Sequence, residues 1–239
     1  MALDKVGLIK TTLVDFPGEV AATVFTPGCN LRCGFCHNPE LLSPPYPETL
    51  LPVGEVKRFL EKRKHLLGGV CLTGGEPLLH EEIYDLADYI KSLGLKVKLD
   101  TNGTFPDRLA FDSLDYIAMD VKTRPSKYTL LGGAGASADT PRAVAASIER
   151  ILAAGSPAGH GTDYEFRTTL VPGFVDADDI RELCRLLAGA RLWVLAPFDP
   201  KKTLDPILSE TLPYSAQETA EMADIIRSAG IPVKVRGEG

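Results

Sequence analysis

The chain has 239 residues, 44% of them hydrophobic, with 26 Lys and Arg against 32 Asp and Glu for a net charge of −6. That is enough apolar material for one large domain, and an acidic balance with both signs scattered along the chain excludes a basic nucleic-acid-binding face. No stretch approaches the roughly 20 apolar residues of a membrane span. Met1-Ala2-Leu3-Asp4 lacks the basic-then-apolar pattern of a secretion leader, and an odd set of five cysteines, three of them clustered, points to a reducing cytoplasmic setting rather than a disulfide framework.

In chain order, the polar-apolar stretch Val6 to Leu13 leads into a turn at Asp15-Phe16-Pro17-Gly18. The apolar run Val20 to Phe25 is the length of a buried strand. At its C-terminal end stand Cys29, Cys33 and Cys36 in a C-x3-C-x2-C spacing, flanked by Gly28 and Gly34. A loop this tight can turn three thiolates toward one metal cluster, and three ligands on a four-iron cluster leave one iron open. Pro44, Pro45 and Pro47 make 43–51 a stiff connector, and Glu55 to Leu67 is expected to be a helix.

The alternation then becomes regular. Strands are expected at Val70–Thr73, Lys96–Thr101, Tyr116–Lys122, Tyr164–Val171 and Leu192–Ala196, with a short last one at Pro232–Val235. Helices are expected at Glu81–Ser92, after Thr140 as cap with Pro141 at the first position, at Asp178–Leu187, and after the Ser215/Glu218 capping box. Strands alternating with helices imply a parallel sheet with right-handed crossovers. Six main strands predict an open, partial (β/α)6 barrel with its chemistry at the C-terminal strand ends. A single domain is expected over 1–239, with an N-terminal extension (1–19), a barrel core (20–196) and a C-terminal loop, helix and short strand (197–239). The long loops 123–139 and 198–214 are expected to serve as lids or binding loops.

Strand alternation separates the two faces. Ile117, Met119 and Val121 should pack on the helices, leaving Ala118, Asp120 and Lys122 facing the interior; likewise Glu165, Arg167 and Thr169 should face inward while Phe166 and Leu170 face out. Charge in the middle of a fold needs partners. Two readings follow: an ion-pair set joining Asp120 and Glu165 to Lys122 and Arg167, or a polar pocket for a zwitterionic ligand. Thr73-Gly74-Gly75-Glu76-Pro77 and Asp100-Thr101-Asn102-Gly103 stand at the ends of the second and third expected strands. The Gly-Gly pair would let a ligand approach the backbone, and Glu76 could receive an ammonium group.

Together these pieces resemble the radical S-adenosylmethionine (SAM) superfamily. They comprise the cysteine motif with the aromatic Phe35 before its last cysteine, and the Gly74-to-Pro77 turn after the second strand. Asp15-Phe16-Pro17-Gly18, Cys36-His37-Asn38-Pro39, Asp100-Thr101-Asn102-Gly103, Asp120-Val121-Lys122 and Val171-Pro172-Gly173 resemble, within it, the activating enzymes of glycyl radical enzymes. The Lys10-to-Gly18 lead is similar to that of the short branch that activates anaerobic ribonucleoside-triphosphate reductase. The resemblance implies that Cys29, Cys33 and Cys36 ligate a [4Fe-4S] cluster whose open iron binds the amino nitrogen and carboxylate of SAM. Gly74, Gly75 and Glu76 would hold the ammonium end, Phe35 would lie near the adenine, and Arg167 would contact the carboxylate or ribose. Asp100, Thr101 and Asp120 match positions that hold a monovalent cation in related activases, with Lys122 lining the same pocket.

The implied reaction uses one electron from a flavodoxin- or ferredoxin-type donor. It cleaves SAM to a 5′-deoxyadenosyl radical, which takes hydrogen from a glycine of a partner enzyme. Asp15 and the two long loops would shape the mouth that admits the partner, and Asp15 and Lys122 are the candidate catalytic residues. Where formate-lyase activases carry a histidine, this chain reads Ala196-Pro197-Phe198-Asp199. Alternatives are a formate-lyase-type activase, a small-molecule radical enzyme such as a deazaguanine-type synthase, an iron–sulfur electron carrier or metal-stabilised binding module, and a Cys3His zinc site using His37. Cys71 and Cys184 are expected as buried apolar residues, Trp193 as core, and His65, His80 and His160 on the surface.

Overall fold

The computed structural model describes residues 3–155 and 161–237, so His160 lies outside the described residues. The strands are Lys5–Thr12 (β1), Ala21–Thr26 (β2), Leu51–Pro52 (β3), Gly69–Gly74 (β4), Lys96–Thr101 (β5), Tyr116–Asp120 (β6), Asp163–Leu170 (β7), Trp193–Pro197 (β8) and Val233–Val235 (β9). The helices are Val53–Arg63 (α1), Ile83–Ser92 (α2), Thr140–Ala154 (α3), Ala177–Leu186 (α4) and Ala216–Ser228 (α5). One nine-stranded sheet runs β3-β1-β2-β4-β5-β6-β7-β8-β9. Each pairing from β2 to β9 is parallel, while β1 is antiparallel to β2 and to β3. β3 and β9 end the sheet without joining, so the barrel is open, as the alternation of elements predicts.

Two segments outside the core expected at 20–196 or between its elements also join the sheet. In the N-terminal extension Lys5–Thr12 forms β1, which covers the edge of β2. The proline connector ends in β3, an edge position where proline's missing N–H costs no ladder bond.

The sheet divides the apolar side chains into two cores. Ile117, Met119, Val121, Phe166, Leu170 and the fully buried Trp193 pack outward against the helices. The α2 residues Ile83, Leu86, Ala87 and Ile90 meet them at the predicted spacing. A second, small core of Phe16, Ala21, Tyr116 and Ala118 fills the N-terminal end of the interior. Phe16 reaches it from the β1–β2 turn and meets the Tyr116 ring at 6.0 Å. Gly69 makes room, since a Cβ there would stand 2.8 Å from the Phe16 ring.

The Ser215/Glu218 capping box opens α5 as expected. Thr140 does not cap α3. Asp139 occupies that position, and the Thr140 hydroxyl turns back into the loop, donating to the Gly135 carbonyl and accepting from the Ser137 N–H at 2.8 Å.

Candidate active site

The cysteine loop leaves the C-terminal end of β2 and is braced by backbone bonds from four segments. Gly28 and Cys29 donate to the carbonyls of Leu41 (2.6 Å) and Leu42 (3.4 Å). Glu76 N–H donates to the Gly28 carbonyl at 2.8 Å. Residues 132–135 hold the loop through Arg32 N–H to Gly132 (3.0 Å) and Gly135 N–H to Asn30 (2.8 Å). Asp205 N–H reaches the Gly34 carbonyl at 2.8 Å. The loops 123–139 and 198–214 therefore pack on the cysteine loop, and each contains a short 3-10 turn, Pro125–Leu131 and Pro206–Glu210. Of the lids or binding loops that the sequence suggests, both are held against the site by backbone bonds.

The Gly-Gly pair after β4 has a related task. A Cβ on Gly75 would lie 1.9 Å from the Gly28 carbonyl oxygen, and one on Gly74, at φ 118°, 2.4 Å from Thr26 N. These glycines let two backbones meet as well as facing the cavity. Glu76, expected to hold an ammonium group, is fully buried outside the cavity wall. Its carboxylate accepts from Leu78 N–H (3.0 Å), Thr101 Oγ1 (2.9 Å) and Asn102 N–H (2.7 Å), tying the turn after β4 to the turn after β5. Burial outweighs these bonds and pushes its carboxyl up to about 7.

A cavity of about 290 Å³ lies between these turns, and Cys29, Cys33 and Cys36 share its wall with Gly74, Gly75, Asp100, Thr101, Asp120, Lys122 and Arg167. Phe35 also borders it and packs against Phe174 with ring centroids 5.5 Å apart. Arg236, just past β9, also lines it.

The interior charges form a ladder. Arg167 donates through Nε to Asp120 (2.7 Å) and through Nη1 to Asp100 (3.0 Å). Asp120 and Arg167 are cross-strand neighbours, and Asp100 stands in the adjacent inward row, opposite Ala118, whose methyl leaves room for the guanidinium to reach it. Lys122 donates to Asp120 at 2.8 Å, and Lys98 to Asp100. Burial raises both carboxyls, but Arg167 with Lys122, and Arg167 with Lys98, outweigh it and hold Asp120 and Asp100 below their ordinary range. Five groups thus neutralise one another with one positive charge to spare. Glu165 faces inward as expected, but it accepts from the Tyr116 hydroxyl at 3.1 Å rather than joining the ladder.

Lys98 was missed. The Lys98/Asp100 alternation, read as 117–122 was, places it inward, and it is 1% exposed with Cys71 Sγ 3.8 Å from Nζ. Arg236 carried no local sequence signal. Asp15 stands outside the cavity wall, accepting from Thr23 Oγ1 at 2.6 Å, in the half of the barrel remote from the cysteine loop. Asp199 is exposed and caps the Lys201 N–H at 3.0 Å. His65 is exposed, as expected, but His80 is buried, with Nε2 2.7 Å from the Pro27 carbonyl, where it buttresses the start of the cysteine loop.

The donor set fits an iron–sulfur cluster: three soft thiols face one cavity, and burial pushes Cys29 up to about 12 and Cys33 up to about 11 while Lys122 pulls both down. Among the described residues no three His, Cys, Asp or Glu side chains converge closely enough for a single metal ion. A four-iron cluster asks each thiolate to reach a different iron. No helix of the described residues is long and apolar enough to cross a membrane.

Comparison with known proteins agrees with this geometry. A Methanocaldococcus jannaschii protein named as a glycyl-radical enzyme activating enzyme is 27% identical over 227 residues, covering 92% of this chain and 90% of that one. The 7-carboxy-7-deazaguanine synthase of Methanopyrus kandleri is 34% identical over 131 residues, 45% of this chain and 51% of that protein. Among solved structures, a radical SAM methyltransferase from Sphaerobacter thermophilus superposes with a TM-score of 0.67 at 21% identity, covering 92% of this chain and 67% of that one. Residues 23–187 match the Radical SAM superfamily profile. With its three cysteines on one cavity at the C-terminal end of an open barrel, the chain belongs to the radical SAM superfamily.

Proposed function

We propose that this protein is an activase that uses SAM to abstract hydrogen from a glycine of a partner enzyme, with anaerobic ribonucleoside-triphosphate reductase as the partner. The observation that carries this reading is the likeness along nearly the whole of both chains to the Methanocaldococcus jannaschii activating enzyme. When bound, a [4Fe-4S] cluster on Cys29, Cys33 and Cys36 and SAM supply one-electron cleavage chemistry, with the electron from a flavodoxin- or ferredoxin-type donor.

The chain's own residues supply binding and orientation. Arg167 and Lys122, the two cations of the ladder that line the cavity, suit the cofactor's carboxylate. The Gly74 and Gly75 backbone borders the cavity where its ammonium end would lie, and Phe35 offers an apolar face to the adenine. Asp100 and Asp120 already have side-chain cations, so a monovalent cation would have to compete with Arg167 for both.

The test incubates reduced, reconstituted protein with SAM and the anaerobic reductase and records electron paramagnetic resonance. A glycyl doublet on the reductase is expected, and none on formate-lyase. A second reading, a deazaguanine-type synthase, draws on the likeness to the Methanopyrus kandleri protein, which spans about half of each chain. Cofactor cleavage with 7-carboxy-7-deazaguanine formed and no glycyl doublet would select it.

A further inference from the structure

We propose that the Asn102 side chain tunes the cluster, donating a hydrogen bond to the Cys29 sulfur and raising the cluster's reduction potential. The inference rests on family membership and is independent of which substrate the enzyme serves.

The orientation of the Asn102 amide is dictated by its neighbours. Its Oδ1 accepts twice from Thr104, from the N–H at 3.0 Å and from the hydroxyl at 2.7 Å, which uses both lone pairs. Having given its proton to Asn102, the Thr104 hydroxyl accepts from Asn30 Nδ2 at 2.8 Å. Asn30 must then present Oδ1 to Asn102, and it does, accepting from Nδ2 at 2.9 Å. The ring Asn102–Thr104–Asn30 is closed and admits one proton order. It leaves a single N–H of Asn102, and Nδ2 stands 3.9 Å from Cys29 Sγ.

The residue is 6% exposed at the cavity wall, and its backbone N–H is held by Glu76. A buried donor aimed at a ligating thiolate stabilises the added negative charge of the reduced cluster more than the oxidised one. Asn102 is thus a positioning and tuning residue, not a catalytic one.

The test measures the midpoint potential of the reconstituted full-length protein, without SAM, by redox titration followed by electron paramagnetic resonance. N102A is expected to lower the potential. At a fixed poise on the titration curve the reduced-to-oxidised ratio should fall between threefold and tenfold, a tenfold fall being about 59 mV for a one-electron couple. T104V removes the hydroxyl that helps to fix the Asn102 amide but leaves the backbone N–H that also holds it, so it should shift the potential the same way by less, and T104S, which keeps the hydroxyl, should hold the wild-type value. A merely structural role would alter iron loading or stability while leaving the potential of loaded protein unchanged. Fully loaded N102A with the wild-type potential overturns the proposal. Should N102A not take up iron, T104V decides, and an unchanged potential there overturns it equally.

Discussion

Glu76 shows how one carboxylate can tie two turns together without entering the site. Its oxygens face N–H and O–H donors on every side, so E76Q turns an amide donor toward another donor. The variant should lose about 1–3 kcal/mol of stability, as for a buried group left unsatisfied, measured by urea unfolding. Because the folded-state carboxyl sits near 7, above its ordinary 4.5, its contribution is full below about 4.5 and is lost as pH rises through about 7. The urea midpoint of E76Q should therefore decline less over that window than that of the wild type. Arg167 presents the complementary case. R167M removes the guanidinium that Asp100 and Asp120 share and leaves each with a single lysine, Lys98 and Lys122, so it should cost about 1–3 kcal/mol. R167K keeps the charge but cannot span both carboxylates, and should recover only part of it.

The elements were largely readable from the pattern of residues, and the reasons differ case by case. Alternation in 117–122 and 165–170 separates inward charge from outward apolar side chains because each strand has helices on one side and a polar interior on the other. The same rule applied to 96–100 exposes Lys98. The burial of Glu76 and His80 is not legible locally, because a carboxylate after a Gly-Gly turn and a histidine next to a helix end both resemble exposed groups. Only the backbone donors and the Pro27 carbonyl around them reveal burial. The bracing of the cysteine loop by residues 132–135 and 205 was illegible, since bonds between main-chain groups leave no mark on side-chain identity. Gly75 tests that bracing. A methyl there meets the Gly28 carbonyl, so G75A should retain its circular dichroism yet bind well under half the wild-type iron after reconstitution.

At the scale of the molecule, the two cores separate stability from chemistry. Phe16 closes the N-terminal end of the interior, while the cysteines stand at the other end. F16A should cost about 3–5 kcal/mol by opening a cavity there, with iron content at 4 °C unchanged from the wild type. C33S should do the reverse, abolishing iron uptake with little change in the urea midpoint of the metal-free chain. The opposite pairing of effects would show that the two ends of the barrel are energetically one.

The cysteine loop takes much of its shape from outside itself. Residues 27–38 hang from the stretches around 41, 76, 133 and 205, which lie far apart along the polypeptide. An engineer who transplanted those dozen residues into a foreign scaffold would carry over the ligands without their moorings. A working graft would have to import all four attachment points as well.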